Sequence, residues 1–114
     1  MLRQLLKSKI HRATVTGCSL DYEGSLTVDR ELLKRANLAV HEKVLVANLS
    51  NGARLETYII EGGPGEMVLN GAAARLGAVG DKVIVMAFGL LDDAEAASFT
   101  PAVVHVDDRN RPTD

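Results

Sequence analysis

Short runs typical of β-strands recur along this chain, with only brief helical stretches between them. The clearest run is residues 81–88, which contains the unbroken apolar sequence Val-Ile-Val-Met of a buried strand. Residues 43–48 and 54–60 flank Asn51-Gly52, and an Asn-Gly pair supplies the positive φ that a tight hairpin turn requires. Many short strands in 114 residues predict one mainly β domain, either a barrel or a sandwich.

The remaining pattern predicts three short helices and three further strands. Residues 29–36 read as a helix, with Asp29 as its N-cap and Asn37 at its end. Residues 71–76 and 92–97 each predict a single helical turn. Strands are expected in the second half of residues 2–16, at 25–28 and at 102–106, whereas 62–65 predicts a loop and 107–114 a frayed tail.

Composition excludes several classes of protein. Hydrophobic residues make up 46% and charged residues 25%, as in ordinary globular domains. A net charge of −2 and the absence of Trp argue against a nucleic-acid binder. The single Cys18 excludes an intrachain disulfide or a cysteine zinc cluster, so we expect no metal site. With no signal peptide and no membrane span in the sequence, we expect a cytoplasmic protein.

One tetrapeptide, Tyr22-Glu23-Gly24-Ser25, places a hydroxyl nucleophile directly after a glycine. Glycine tolerates a strained backbone and leaves its carbonyl open to attack. Gly-Ser pairs are common in turns, so the tetrapeptide alone predicts no more than a turn. Three further segments give it weight: Lys9-Ile10-His11-Arg12, Asn-Gly-Ala-Arg-Leu-Glu-Thr-Tyr at 51–58, and Leu-Asn-Gly-Ala-Ala-Ala at 69–74.

Together these segments resemble the pyruvoyl-dependent aspartate 1-decarboxylases, as far as about Val106. The resemblance implies a small double-psi β-barrel with a few short helices, assembled as a homotetramer with active sites between subunits. It implies conversion of L-aspartate to β-alanine and CO₂ through a Schiff base on a pyruvoyl group, for pantothenate and coenzyme A synthesis. The single domain, 1–114, is then expected to cleave itself into a β chain, 1–24, and an α chain, 25–114, with or without an accessory maturation protein.

The resemblance also implies the residues that make and use the pyruvoyl group. The Ser25 hydroxyl attacks the Gly24 carbonyl, and Ser25 becomes the pyruvoyl group. Thr57 helps to polarise that carbonyl during processing and contacts the substrate, and Tyr58 is the proton donor after CO₂ leaves. Because neighbouring residues of a strand point to opposite faces, a regular strand would not aim Thr57 and Tyr58 at one point.

Substrate binding is assigned by the same resemblance. Arg54 holds a substrate carboxylate and Lys9 supports it, in keeping with the bidentate and point-charge character of these cations. The remaining assignments are Gly71, Ala72 and Ala73 for substrate contact, Asn70 beside the pyruvoyl group, His11 in a supporting or structural role, and Tyr22 with Glu23 in shaping the cleavage loop.

Two alternatives remain open at this point. One is a pyruvoyl enzyme for another acidic amino acid such as glutamate, because the two cations do not measure substrate length. The other is a non-catalytic barrel module for binding or assembly. Ala47 and Arg75 stand where some family members carry a bulky aromatic residue and a histidine, which could alter the pocket.

Overall fold

In a computed structural model, which describes residues 1–113, eight strands form one sheet with short helices between them. The strands are β1 (Arg3–Thr14), β2 (Gly17–Ser19), β3 (Leu26–Asp29), β4 (Lys43–Asn48), β5 (Arg54–Gly62), β6 (Met67–Asn70), β7 (Lys82–Leu91) and β8 (Ala102–His105). The helices are α1 (Arg30–Ala36), a 3₁₀ helix (Gly71–Leu76) and α2 (Asp93–Ala96). Among residues 1–113, none of these helices combines the length and apolar character needed to cross a bilayer.

The sheet closes on itself through one continuous stretch of chain. Its strand order is β2-β6-β3-β5-β4-β7-β1-β8, so β1 and β2, which are consecutive in sequence, lie near opposite ends of that order. Between them, the Val15 amide donates to Asp81 O over 2.9 Å and the Thr16 amide donates to Met67 O over 2.8 Å. The small, mainly β double-psi barrel implied by the sequence is confirmed.

Alternation along β3 and β6 separates the core from the outer face of the barrel. Leu26 and Val28 of β3 and Met67 and Leu69 of β6 are at most 1% exposed and lie in one hydrophobic cluster. Full burial of such a side chain is worth roughly 1.5–3 kcal/mol. Successive side chains of a strand point to opposite faces, so the residues between these four face away from that core.

Local sequence signals correctly predicted most of the connections. The Asp29 carboxylate accepts a hydrogen bond from the Glu31 amide over 2.8 Å, and Asn37 ends α1 in a left-handed conformation with φ 56°. Gly52 has φ 78° in the turn between β4 and β5, as the Asn-Gly pair requires. The predicted helical turn at 71–76 is confirmed as the 3₁₀ helix, and the turn at 92–97 as α2.

The structure contains more strand than the sequence predicted: β5 and β7 run on to Gly62 and Leu91, and β1, β2 and β6 depart further. β1 covers the whole of Arg3–Thr14 and not only the second half of its segment. Its register with β7 shifts between Leu6 and Ser8 and again between Ile10 and Ala13, and such irregularities interrupt the alternation on which the prediction relied. β2 and β6 were not predicted, because three or four residues carry little pattern and their pairing with each other is non-local.

The segment 107–114 was expected to fray, and its contacts up to Thr113 oppose that expectation. Asn110 is fully buried, and its Nδ2 donates to Thr14 O over 2.8 Å and to Gly65 O over 2.9 Å. Its Oδ1 accepts from the Thr14 amide over 2.7 Å. One buried amide thereby anchors the segment to the end of β1 and to the loop before β6, whereas Asp114 lies outside the described residues.

Candidate active site

Ser25 lies at the entry to β3 in a conformation that serine rarely adopts. Its φ is 101°, and Gly24 before it has φ 37°. A positive φ is strained for a residue with a Cβ and persists where the surroundings fix it. Ser25 is also only 2% exposed, so its hydroxyl is held inside the protein and not on the surface of a turn.

The Asn70 side chain holds the Ser25 hydroxyl. Asn70 Nδ2 donates to Ser25 Oγ over 3.2 Å and to Thr27 Oγ1 over 2.8 Å. The Asn70 backbone amide also donates to Ser25 O over 3.0 Å. These bonds join the end of β6 to the start of β3, on the outer face of the barrel that alternation assigns to Ser25, Thr27 and Asn70.

Gly71 lets the cleavage loop pack closely against the start of the 3₁₀ helix. It has φ 60°, and a Cβ placed on it would lie 2.7 Å from Gly24 N and 3.0 Å from Tyr22 O. Both neighbours are backbone atoms, which cannot swing aside as a flexible side chain can. Gly71 was predicted to contact substrate, and in the structure its missing side chain makes room for the loop that carries Gly24.

A cavity of about 280 Å³ opens beside Ser25. That volume is close to the lower end of the range for ligand pockets, roughly 300 Å³, and suits a small amino acid. Its lining is Gly24, Ser25, Leu55, Glu56, Thr57, Asn70, Ala72, Ala73 and Leu76. Six of these residues were predicted for the site, from three separate segments of sequence. Leu55, Glu56 and Leu76 were missed, although the first two adjoin Thr57 on β5.

Thr57 and Tyr58 point in different directions, as strand alternation predicted. Thr57 lines the cavity, whereas Tyr58 is 40% exposed and lies outside its lining. Tyr58 nevertheless reaches the cleavage loop, since its Oη donates to Glu23 O over 3.4 Å. Its ring also meets His41 edge-on, with centroids 6.2 Å apart. Tyr22, 54% exposed, lies on the same loop.

Lys9 does not line the cavity of its own chain. Lys9 pairs with Met86 on β7, Met86 with Leu45 on β4, and Leu45 with Glu56 on β5. Three strand spacings separate Lys9 from Glu56 along the sheet, about 14 Å. A single chain therefore leaves this predicted substrate-binding cation away from Ser25.

Arg54 is exposed at the start of β5, one residue before the cavity lining begins. Its guanidinium makes no hydrogen bond or ion pair with any residue between 1 and 113. An unpaired guanidinium retains its full capacity to bind a carboxylate in bidentate fashion.

His11 is also outside the cavity lining, and its environment favours the neutral ring. Its Nδ1 is buried without a hydrogen-bond partner. Burial lowers the pKa of His11, and the positive charges of Lys9, His105 and Arg12 lower it further. The His11 and His105 rings meet edge-on with centroids 5.5 Å apart. Of the two roles expected for His11, supporting or structural, these contacts fit the structural one.

The described part of the chain, 1–113, contains no group of three or more His, Cys, Asp or Glu side chains placed to hold a metal ion. Cys18 is an exposed free thiol on β2. The polar residues that line the cavity are Ser25 and Thr57 with their hydroxyls, Asn70 with its amide, and Glu56 with its carboxylate.

Comparison with known proteins gives one consistent result. A sequence profile described as aspartate decarboxylase matches residues 1–113. An aspartate 1-decarboxylase of Dehalococcoides mccartyi is 52% identical over 111 residues, covering 96% of this chain and 90% of that protein. Proteins of the same name from Desulfitobacterium hafniense and Caldicellulosiruptor saccharolyticus are 54% and 55% identical, over 98% and 97% of this chain and 90% and 88% of theirs.

Proposed function

The chain belongs to the aspartate decarboxylase family, and we propose that it becomes active by cutting its own backbone between Gly24 and Ser25. It is an aspartate 1-decarboxylase, a lyase that converts L-aspartate to β-alanine and CO₂. The observation that carries the proposal is the buried Ser25 hydroxyl, held by Asn70 beside a small cavity in a serine with a strained, positive φ. Family membership sets aside the non-catalytic barrel module.

Cleavage begins when Ser25 Oγ attacks the Gly24 carbonyl carbon. The new C–O bond forms, the C–N bond to Ser25 breaks, and the hydroxyl proton passes to the freed nitrogen. Loss of the Cα proton of residue 25 then breaks its Cβ–Oγ bond, and Oγ leaves as part of the Gly24 carboxylate. Water hydrolyses the resulting dehydroalanine, releases ammonia and leaves a pyruvoyl group at the start of residues 25–114.

Thr57 and Asn70 assist this rearrangement from the cavity wall. The Asn70 amide already donates to Ser25 Oγ, which fixes the direction of the oxygen while its own proton stays free to leave. Thr57 lies on the same cavity, and we assign its hydroxyl to polarising the Gly24 carbonyl. Donors directed at a developing oxyanion in a site shielded from water lower such barriers strongly.

The residues around Ser25 fit a pyruvoyl group there. Ala72 and Ala73 leave the cavity open, and Asn70 Nδ2 loses its Ser25 Oγ acceptor on maturation and can donate to what replaces it. The group supplies an electrophilic carbonyl that accepts the electrons released with CO₂. No metal or dissociable cofactor enters the proposal.

Positive charge holds the substrate, and a phenol supplies the proton that replaces CO₂. L-Aspartate carries two carboxylates, and the unpaired Arg54 guanidinium beside the lining binds one of them. We assign substrate contact to Ala72 and Ala73 of the lining and to Gly71, which adjoins them outside it. Tyr58 delivers the proton after CO₂ leaves, from its position over the cleavage loop. We assign the β-alanine formed to pantothenate and coenzyme A synthesis.

Lys9 reaches the site from a neighbouring copy in a homotetramer. A groove of about 450 Å³ runs beside the cavity and shares Glu56 with it; its other lining residues are Gln4, Lys43, Val44, Leu45 and Phe88. Phe88 is 41% and Leu90 65% exposed on β7, which supplies apolar surface for a second copy. An approach of this kind places another β1, with Lys9 and His11, at the edge of the cavity.

Mixing two inactive variants tests the proposal that sites are shared. Ser25→Ala removes the cleavage serine but keeps Lys9, and Lys9→Ala does the reverse. Co-expression should restore part of the activity, because mixed tetramers contain sites with both residues intact. Two variants that stay inactive together, in tetramers shown by mass to be mixed, would place Lys9 and Ser25 in the same chain's site, and a Lys9→Ala variant that is active on its own would remove Lys9 from the site.

A further inference from the structure

We propose that Thr27 is a positioning residue for maturation: its hydroxyl fixes the Asn70 amide, and that amide fixes the Ser25 hydroxyl. The inference rests on the proposed self-cleavage at Gly24-Ser25. Thr27 lies two residues beyond the cleavage site on β3 and is absent from the cavity lining. Its effect on the reaction would be exerted entirely through Asn70.

Both N–H bonds of the Asn70 side chain are used within this relay. Nδ2 donates to Thr27 Oγ1 over 2.8 Å and to Ser25 Oγ over 3.2 Å. A primary amide has two donor hydrogens in one plane at a fixed angle. Fixing one of them on Thr27 therefore sets where the other points. The shorter bond is the one to Thr27, which makes Thr27 the anchor and Ser25 the group that is aimed.

Thr27 is itself held on two sides. A Cβ placed on Gly62 would lie 2.5 Å from Thr27 Cγ2, so the threonine methyl fills the space that a side chain at position 62 would occupy. Threonine has few staggered rotamers, and packing the methyl fixes the direction of the hydroxyl. β3 also pairs with β5 and β6 on its two sides at this position, opposite Ile60 and Val68. The missing side chain of Gly62 thus directs the Thr27 hydroxyl toward Asn70.

The relay affects the rate of cleavage as well as the positions of the side chains. Ser25 Oγ must approach the Gly24 carbonyl along a narrow range of directions, and a misplacement of about 1 Å can cost about a hundredfold in rate. Thr27 restricts that approach without touching a reacting atom. After Oγ has left with Gly24, the same anchored N–H remains directed at residue 25.

Two substitutions separate the effect of the Thr27 hydroxyl from the effect of the side chain's shape. Thr27→Val keeps the methyl that packs on Gly62 and removes the acceptor of Asn70; Thr27→Ser keeps the acceptor. The rate of splitting is followed by intact mass on newly synthesised full-length chain. We expect Thr27→Val to split at least about tenfold more slowly than the parent, and Thr27→Ser, which keeps the acceptor but loses the methyl that orients it, to be slowed clearly less than Thr27→Val.

A matched control is available on β1. Thr14 is a strand threonine whose Oγ1 accepts from Lys82 Nζ over 2.6 Å, away from the cavity. Thr14→Val loses a comparable bond and should split at the parental rate. Gly62→Ala supplies a second variant at the relay: it displaces the Thr27 methyl with the hydroxyl chemically intact, and it too should slow splitting.

A readout independent of splitting uses the Ser25→Ala chain, which stays whole. There the Asn70 side-chain amide should exchange its hydrogens at least about tenfold faster when Thr27→Val is added, with the melting temperature of the fold little changed. Parental splitting by Thr27→Val, equal slowing by Thr27→Ser, or unchanged Asn70 exchange would each overturn the relay. A parent chain that never splits would instead remove the proposed maturation, and the exchange measurement would still decide whether Thr27 anchors Asn70.

Discussion

Gly71 and Gly24 are 47 residues apart in sequence, yet a single added methyl on Gly71 would lie 2.7 Å from the backbone nitrogen of Gly24. This contact presses the cleavage loop against the 3₁₀ helix. It explains in physical terms why small residues follow Asn70: backbone there packs on backbone. Gly71 therefore shapes the cleavage loop in the unsplit chain, before any substrate binds.

Gly71→Ala should therefore slow splitting at Gly24-Ser25 by at least about tenfold, since the loop must move away from the Asn70 and Ser25 contacts. Gly52→Ala is the control, because Gly52 also has a positive φ, 78°, but nothing within 4 Å of its added Cβ. It should cost only the backbone strain, about 1 kcal/mol, and split normally. Equal rates for Gly71→Ala and the parent would show that the loop is not held by this contact.

Arg54→Ala should lower kcat/KM for aspartate far more than it lowers stability. Leaving a carboxylate without its charge-assisted partner typically costs about 2–5 kcal/mol in binding. Steady-state kinetics on fully split protein measures the effect. Arg35→Ala, which removes an exposed guanidinium from α1, should leave kcat/KM unchanged. An Arg54→Ala enzyme with parental kcat/KM would mark Arg54 as a surface residue.

Tyr58→Phe separates making the active group from using it. The phenol is proposed to act only after CO₂ leaves, so splitting at Gly24-Ser25 should proceed at the parental rate. Turnover should fall by about 10²–10⁴-fold, the usual contribution of a general acid. Because Oη also donates to Glu23 O, both rates are measured on the same preparation. Turnover within about twofold of the parent would reject Tyr58 as the proton donor.

His11 should make the fold less stable below neutral pH. Its pKa is lowered in the folded chain by burial and by neighbouring positive charge, so the unfolded chain binds the proton first as pH falls. Stability is then lost below the ordinary histidine pKa of about 6.5, and the loss levels off below the folded value. The fall in melting temperature between about pH 7.5 and 5.5 should be smaller in His11→Gln than in the parent. Identical pH dependence would contradict a lowered pKa for His11 in the folded chain.

Much of the fold could be predicted from sequence because its signals are local. The Asp29 cap, the Asn51-Gly52 turn and the apolar run of β7 each act within a few residues. β2 and β6 could not be predicted, since their pairing depends on chain far away and their length carries little pattern. Asn110 shows the same limit, because a polar tail residue gives no sign that it will be buried between the end of β1 and the loop before β6.

The same difference between local and long-range signals applies to the site. Residues predicted from the motif around Ser25 and from the segments at Thr57 and Asn70 meet at one cavity. Thr27 escaped prediction, because a single threonine in a strand has no motif, and its significance depends on Gly62 and Asn70 being beside it. Lys9 and His11 lie off the cavity of their own chain, and no pattern in a single sequence indicates where they fall on the sheet relative to that cavity.

The central claim is that the bond between Gly24 and Ser25 breaks and that Ser25 supplies the reactive group. Intact mass of the purified parent and of Ser25→Ala tests it most directly. The parent should give two chains, residues 1–24 and 25–114, the second bearing a pyruvoyl group in place of its amino-terminal serine, while Ser25→Ala remains one chain without decarboxylase activity. An active parent of undivided mass, or a Ser25→Ala chain that still splits and turns over aspartate, would contradict the account.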